Sequence, residues 1–446
     1  MPHYLQFLGP SVTSSLLHPT VLAILAFIFI LLFKWSSTRP NNNKNSPPSP
    51  PKLPIIGNLH QLGLYPHHSL RDLAQLYGPL MLLQLGNVPT LVVSSADAAR
   101  EIMKTNDVIF ANRPKTRMFG KLTYDFKDVL LAPYGEYWRQ TKSVLVLHLL
   151  SNKRVQSFRA VREEEISLQI EKIKQSCSSS SVNLSEIFAK LTNDIICRVA
   201  LGRKYGEGED GRKFKELIGE MMELLGVNNM EDYIPWLAWV NRVNGLDAKA
   251  ERVAKQFDDF LEGVIEEHIN RKKKGSDDHS LENEDQKDFV DVLLWVQKEN
   301  KIGFPIDRVC IKALIQDAFN AGTDTTYSVL EWAMTELLRH PKMMKMMQDE
   351  VRAITSNKKD IKLDDALLKC SNQRDSSLAS YYSTEELPWN FLCITNIKLV
   401  LAKFVKYFDW TLPNGAKGED LDMTESIGIA IHKKFPLIAV ATPYVA

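Results

Sequence analysis

Ala321, Gly322, Asp324, Thr325 and Thr326 bring a glycine, an acid and two hydroxyl groups together within six residues. Asp324 and Thr325 can pass protons, and a threonine hydroxyl can bond back to a backbone carbonyl and open a helix locally. Gly322 lets another group approach the backbone closely. The pattern therefore predicts proton-transfer chemistry, although a packing glycine beside surface polar residues would give the same six residues.

A long helix must position these side chains. Apolar residues recur at helical spacing between residues 311 and 339. The helix is predicted to end at His340 and Pro341, because proline cannot continue a helix and restricts the residue before it. Glycine in the interior of a helix costs about 1 kcal/mol relative to alanine, so Gly322 is an unusual choice there.

The motif Ala-Gly-x-Asp-Thr-Thr, on a long helix that ends in Glu-Leu-Leu-Arg-His-Pro, resembles the oxygen-activation helix of the cytochrome P-450 monooxygenases. The resemblance implies that Asp324 and Thr325 deliver protons to dioxygen bound on haem iron. It also implies that Ala321 and Gly322 border the haem. The expected fold is mainly α with a minor β part.

Other haem-binding residues follow from the same resemblance. In the family, a tryptophan followed four positions later by a basic residue clasps a haem propionate, which corresponds here to Trp138 and Lys142. Lysine keeps the charge of the usual arginine but lacks its bidentate fork. Arg113 is assigned to haem binding as well. The alternative interpretation of Trp138 is an aromatic residue at the start of a surface helix.

The resemblance breaks down at about residues 366–395. The family carries there a Glu-x-x-Arg helix, a Pro-Glu-Arg-Phe-like segment and a loop whose cysteine thiolate ligates the haem iron, and none of the three is present. Cys393 lies near the expected position, but no glycine or arginine flanks it, and we interpret it as a non-ligand. Our hypothesis is a frameshift or a mis-spliced exon that re-enters frame near Asn396. We expect an incomplete fold that does not retain stoichiometric haem.

The N-terminal segment is predicted to be a membrane anchor. Residues 16–33 are mostly apolar and about as long as a bilayer-spanning helix requires. Lys34, Arg39, Lys44 and Lys52 follow this stretch and no lysine or arginine precedes it, which places the globular part in the cytoplasm. A buried core helix is the alternative, and the family resemblance implies the endoplasmic reticulum membrane.

The predicted domains are a membrane anchor at 1–34, a proline-rich linker at 35–54 and a P-450-like globular domain at 55–446, disrupted at about 366–395. A hairpin is expected from Leu80–Leu85 and residues 90–94 around Gly86 and Asn87. Long helices are expected across residues 152–270, an exposed loop across 271–288 and a helix from Asn396.

Composition excludes several other classes of function. The net charge of +1 gives no argument for nucleic-acid binding. The five cysteines are scattered, with no pair at metal-ligand spacing. Residues 206–211 match the dinucleotide fingerprint only by spacing, since no apolar strand precedes them and their acids would repel a pyrophosphate. Hydrolase motifs of the Gly-x-Ser-x-Gly and His-Glu-x-x-His types are absent from the sequence.

By resemblance, the chain is a haem-dependent monooxygenase that inserts one oxygen atom from O2 into an apolar small molecule. Its electrons would come from an NADPH-dependent P-450 reductase. The alternative is a non-catalytic, membrane-anchored P-450 remnant, which would bind an apolar ligand or the reductase without turnover.

Overall fold

The computed structural model describes residues 19–37, 46–176, 181–205, 208–227, 229–274, 287–299, 305–355 and 390–444. The chain divides into two compact units. The first contains Met1–Phe110 and Asn229–Asn244, and the second contains Ala111–Asn228 and Gly245–Ala446. The described residues are mainly helical with small sheets, which confirms the predicted fold class.

The α-helices are numbered here in chain order. They are α1 (Pro19–Ser37), α2 (Pro66–Tyr77), α3 (Ala96–Arg100), α4 (Asp107–Phe110), α5 (Arg117–Leu122), α6 (Glu136–Val144), α7 (Asn152–Ser157), α8 (Arg159–Ser176), α9 (Leu184–Leu201), α10 (Gly208–Leu225), α11 (Met230–Tyr233), α12 (Ala238–Val243), α13 (Leu246–Lys274), α14 (Phe289–Glu299), α15 (Arg308–Phe319), α16 (Thr325–Arg339), α17 (Pro341–Thr355) and α18 (Asn390–Tyr407). Turns of π-helix lie at Glu101–Thr105, Leu145–Leu149 and Asn320–Asp324.

The strands form two small sheets. Strands β1 (Leu80–Leu85) and β2 (Val88–Val93) make an antiparallel hairpin, in which Leu85 pairs with Val88. The predicted hairpin is therefore confirmed, but β2 begins at Val88 and not at residue 90. The two-residue loop explains the difference, because Gly86 adopts the positive φ of +56° that such short loops require.

The second sheet contains β3 (Val182–Asn183), β4 (Phe408–Thr411) and β5 (Ile438–Pro443) in the order β3-β5-β4. Both neighbouring pairs are antiparallel. This sheet ties the start of α9 to the C-terminal part of the second unit, since the backbone nitrogen of Leu184 also bonds the carbonyl oxygen of Leu437 at 2.9 Å.

In the first unit, part of the proline-rich segment is bound to β1. The backbone nitrogen of Leu82 donates to the carbonyl oxygen of Pro48 at 2.8 Å. The side chain of Asn58 donates to the carbonyl oxygen of Pro51 at 3.1 Å and accepts from the backbone of Gln84 at 2.8 Å. These contacts hold the described end of the segment along the strand.

Helix α1 contains much of the predicted membrane anchor. Residues 22–30 are exposed, among them Leu22, Phe27 and Phe29. Within the part of the chain that the structure describes, no helix has both the length and the apolar character needed to cross a membrane. The transmembrane helix therefore stays a prediction.

The second unit is built around a central helix formed by α15, the π turn Asn320–Asp324 and α16. Its apolar side chains Ile311, Leu314 and Ala318 are fully buried. It ends at Arg339, and α17 begins directly at Pro341, as predicted. Its start at Arg308 lies slightly before the predicted one.

Two further boundaries differ from the prediction. Helix α18 begins at Asn390 and not at Asn396, because buried Leu392 extends its apolar face toward the N-terminus. Helix α13 runs to Lys274, so the charged run that starts at Arg271 begins inside a helix and not in a loop. Residues 275–286 of that run lie outside the described residues, as do residues 356–389, which include most of the predicted disruption.

Candidate functional site

The π turn Asn320–Asp324 interrupts the central helix at the predicted motif. The hydroxyl of Thr325 donates a hydrogen bond to the carbonyl oxygen of Ala321, four residues earlier. This is the local opening that the sequence predicted, and π turns of this kind occur frequently at functional sites. Thr325 itself is exposed.

Gly322 allows helix α9 to lie against the π turn. A Cβ atom added at Gly322 would lie 2.4 Å from Cδ1 of Ile196, which is closer than any real contact. The glycine is buried. The group that approaches the backbone at this point is therefore the Ile196 side chain of the same chain.

Asp324 faces the C-terminal segment. Its Oδ1 atom lies 2.8 Å from Nε2 of His432, and the imidazole ring stacks on Tyr327 with a centroid distance of 4.6 Å. A β-bridge between Glu425 and Lys433 folds this segment back on itself. Carboxylate and imidazole can exchange a proton at this distance, so the pair is able to hold or pass one.

A fully buried acid lies two turns further along the central helix. Glu331 is fully buried and accepts hydrogen bonds from the hydroxyls of Ser185 and Tyr327 and from the backbone nitrogen of Lys433. Burial and the nearby charge of Glu331 raise the pKa of Tyr327. The network joins α9, α16 and the C-terminal segment through one carboxylate.

Trp138 and Lys142 lie together on α6, as their spacing requires. The ammonium nitrogen of Lys142 is 4.6 Å from the centroid of the Trp138 ring, which is a cation–π contact. The indole nitrogen of Trp138 donates to the carbonyl oxygen of Val129 at 2.9 Å. The backbone nitrogen of Val129 in turn donates to Asp317 on α15 at 2.7 Å. Val129 therefore connects α6 to the central helix. Arg113 is exposed in a segment without regular secondary structure.

Asp317 has a second buried carboxyl group nearby, that of Asp128. The two residues are only 3% and 1% exposed. Burial raises the pKa of Asp128 to about 6. Burial and the charge of Asp128 raise the pKa of Asp317 well above its ordinary value. The pair therefore holds protons at pH values where exposed carboxyl groups are ionised.

Cys393 lies directly against the π turn. Its sulfur is 3.7 Å from the carbonyl oxygen of Ala321, the same atom that accepts from Thr325. Burial raises the pKa of the Cys393 thiol, so the group is neutral at physiological pH. Cys197 and Cys310 are buried elsewhere, and burial raises their pKa values to about 12 and about 11.

Comparison with known proteins identifies the family. The family model for Cytochrome P450 matches residues 47–367. The chain belongs to the cytochrome P450 family. The resemblance stated from the sequence is thus confirmed, and membership implies haem iron as cofactor, an enzyme of the monooxygenase class, a redox partner reductase and a small-molecule substrate.

Several plant P450s are close relatives. Cytochrome P450 736A117 of Prunus mume is 48% identical over 513 residues, which cover 97% of both chains. Cytochrome P450 71A4 of Solanum melongena is 44% identical and covers 95% of this chain and 98% of its own. Norfluorocurarine oxidase of a Strychnos species is 41% identical, with the same coverage. The Prunus alignment is longer than the 446 residues of this P450, so that relative carries several tens of residues that this chain lacks.

A solved structure has the same fold. It is titled as a zebra fish cytochrome P450 with progesterone, and it matches 85% of this chain and all of its own with a TM-score of 0.66. Its sequence identity of 21% makes this a comparison of fold alone.

The described residues of this P450 do not fit haem between Cys393 and the central helix. In this family the porphyrin lies between that helix and an axial thiolate. Here the Cys393 sulfur is 3.7 Å from the Ala321 carbonyl oxygen, which leaves no space for a porphyrin between them. The thiol is also kept neutral by burial, whereas the ligand is the thiolate.

The sequence motifs did not indicate His432, Glu331 or Asp317 as residues of this site. Glu331 and Asp317 left a signal, because each is an acid on the otherwise apolar, buried side of a predicted helix. His432 left none, since its partner Asp324 lies 108 residues away in the chain.

Proposed function

We propose that this P450 is a membrane-anchored monooxygenase by descent whose own haem-thiolate centre is impaired. The family reaction would insert one oxygen atom from O2 into an apolar small molecule, with electrons from an NADPH-dependent reductase. The contact between Cys393 and Ala321 is the observation that carries the proposed impairment. Two comparisons support it, because the family match ends at residue 367 and the Prunus relative is longer.

The test is the absorption spectrum of the purified protein after reduction and exposure to carbon monoxide. We expect no thiolate-type Soret band and less than stoichiometric haem. A normal thiolate-type band would show that a cysteine of this chain ligates the iron, and the proposed impairment would then be wrong. The coding DNA across residues 360–400 tests the origin of the gap, since a frameshift must leave the missing Glu-x-x-Arg in another frame.

A non-catalytic remnant is the second candidate function. The packing of Cys393 on the central helix favours it, because this contact closes the surface on which the family binds haem. Such a remnant would bind an apolar ligand or the reductase without turnover. Binding of an apolar ligand by haem-free protein, measured by quenching of tryptophan fluorescence, would support this candidate, and haem-dependent binding would contradict it.

Asp324 and Thr325 keep their proposed role as the proton-passing pair. His432 and the Ala321 carbonyl are their partners in this arrangement. Ala321, Gly322, Trp138, Lys142 and Arg113 remain the proposed haem-contacting residues of an intact family member.

The proposed location is the endoplasmic reticulum membrane with the globular part in the cytoplasm. Support comes from helix α1, whose residues 22–30 are exposed, and from the basic residues that follow residue 33. The domain limits 1–34, 35–54 and 55–446 belong to this proposal. Digestion of intact microsomes is the test, and protease resistance of the globular part would contradict the orientation.

A further inference from the structure

A basic cavity lies in the second unit, away from the π turn of the central helix. It forms where the π turn Leu145–Leu149 meets helices α7 and α14, and its volume is about 180 Å³. Its polar wall is made of His148, Ser151, Lys153, Arg154 and Lys287, and Trp295 closes one side. None of the described residues that line it is acidic.

The positive charges of the cavity are held at its wall. The guanidinium of Arg154 donates to the backbone carbonyl oxygen of Lys287 at 3.4 Å, which links α7 to the residues before α14. Within the described ranges, neither Lys153 nor Lys287 forms an ion pair. Each ammonium group offers three N–H donors, so the two lysines can donate to a ligand.

His148 completes the wall without adding a charge. Burial and the neighbouring charge of Arg154 lower the pKa of His148, so the imidazole is neutral at physiological pH. Its ring meets Trp295 edge-on at a centroid distance of 6.1 Å. A neutral imidazole still donates one N–H.

We propose that this cavity binds a phosphate group. Two ammonium groups and a serine hydroxyl, beside the positive charge of Arg154, match the several oxygens and the negative charge of phosphate. The cavity is smaller than the roughly 300–1,000 Å³ of sites for drug-sized ligands, which restricts it to the phosphate group of a molecule. Inorganic phosphate and the headgroup of an anionic phospholipid share this chemistry. The proposal does not depend on haem or on the proposed monooxygenase function.

The first experiment is calorimetric titration of the full chain in detergent with inorganic phosphate. Sodium chloride at equal ionic strength is the blank. We expect saturable binding in the wild type and roughly a tenfold weaker affinity for each lysine removed in Lys153→Gln and Lys287→Gln. Lys342→Gln is the matched control, because it removes the same charge from an exposed position on α17, and its affinity should equal that of the wild type.

A second measurement separates the two sources, and its first part uses only the wild type. The ³¹P linewidths of inorganic phosphate and of glycerol 3-phosphate should both broaden with the wild type if the free group is the ligand. Lysine-dependent binding only to vesicles that contain phosphatidic acid, and not to phosphatidylcholine vesicles, would assign the cavity to the lipid headgroup. The proposal is overturned if phosphate and chloride act alike on the wild type and phosphatidic acid vesicles bind no better than phosphatidylcholine vesicles. It is also overturned if the double variant of Lys153 and Lys287 keeps wild-type affinity.

Discussion

Asp128→Asn is the substitution that should reveal most about the core of the second unit. Asp128 and Asp317 are both buried at the central helix, and burial raises the pKa of Asp128 to about 6 from an ordinary value of 3.8. A folded state with a raised carboxyl pKa binds the proton more tightly than the unfolded state does. Its stability is therefore highest at low pH and falls as the pH rises through 3.8 to about 6.

The size of the effect follows from the two pKa values. Ionising a carboxyl group that titrates at about 6 in the folded protein and near 3.8 in the unfolded protein destabilises the fold by about 3 kcal/mol above pH 6. Asparagine does not ionise, so Asp128→Asn removes this penalty. It should also lower the raised pKa of Asp317, because the charge of Asp128 contributes to it.

The assay is urea unfolding of the full chain in detergent, followed by tryptophan fluorescence at about pH 4 and about pH 7.5. We expect Asp128→Asn to gain up to about 3 kcal/mol relative to wild type between these two pH values. Any packing cost of the amide is common to both measurements and cancels. The control is Asp349→Asn, because Asp349 is an exposed partner of Lys345, and its change should stay within about 0.5 kcal/mol.

One result would refute this reasoning. If the stability of Asp128→Asn follows that of the wild type in parallel between the two pH values, the carboxyl of Asp128 does not titrate in the way its burial requires. Of the two variants, only Asp349→Asn is expected to follow the wild-type stability in parallel at both pH values.

Three further predictions concern buried contacts of the second unit. Gly322→Ala should lose about 1–3 kcal/mol of stability, because its Cβ would lie 2.4 Å from Cδ1 of Ile196. A double-mutant cycle with Ile196→Ala in which the two effects simply add would contradict this contact. Glu331→Leu should lose at least about 3 kcal/mol, because three hydrogen-bond donors lose their acceptor, and Glu331→Gln should lose less. Burial lowers the pKa of His268, but the hydrogen bond to Asp288 and the charge of Asp288 raise it overall. The pair of His268 and Asp288 therefore stabilises the fold fully below pH 6.5. This stabilisation should be lost as the pH rises through the folded pKa of His268. That pH dependence should disappear in His268→Gln, measured by thermal unfolding.

Several parts of this P450 were determined by local sequence. The central helix, its end before Pro341 and the hairpin around Gly86 were predicted because apolar periodicity, proline and glycine act over a few residues. The bond from the Thr325 hydroxyl to the Ala321 carbonyl is also local, since it spans one helical turn. Boundaries were less certain because buried contacts extended α18 by six residues beyond the prediction.

Only the tertiary structure decided which partners these residues have. The hydrogen bond between His432 and Asp324 spans 108 residues, and the one from Ser185 to Glu331 spans 146. No periodicity or motif encodes such a pair, because the contact exists only after several helices and the C-terminal segment have packed together. Cys393 shows the same limit, since the sequence indicated that it is not flanked like a haem ligand, but only packing placed its thiol against the Ala321 carbonyl. Local sequence thus determined which residues could do chemistry, and long-range burial decided what each of them touches.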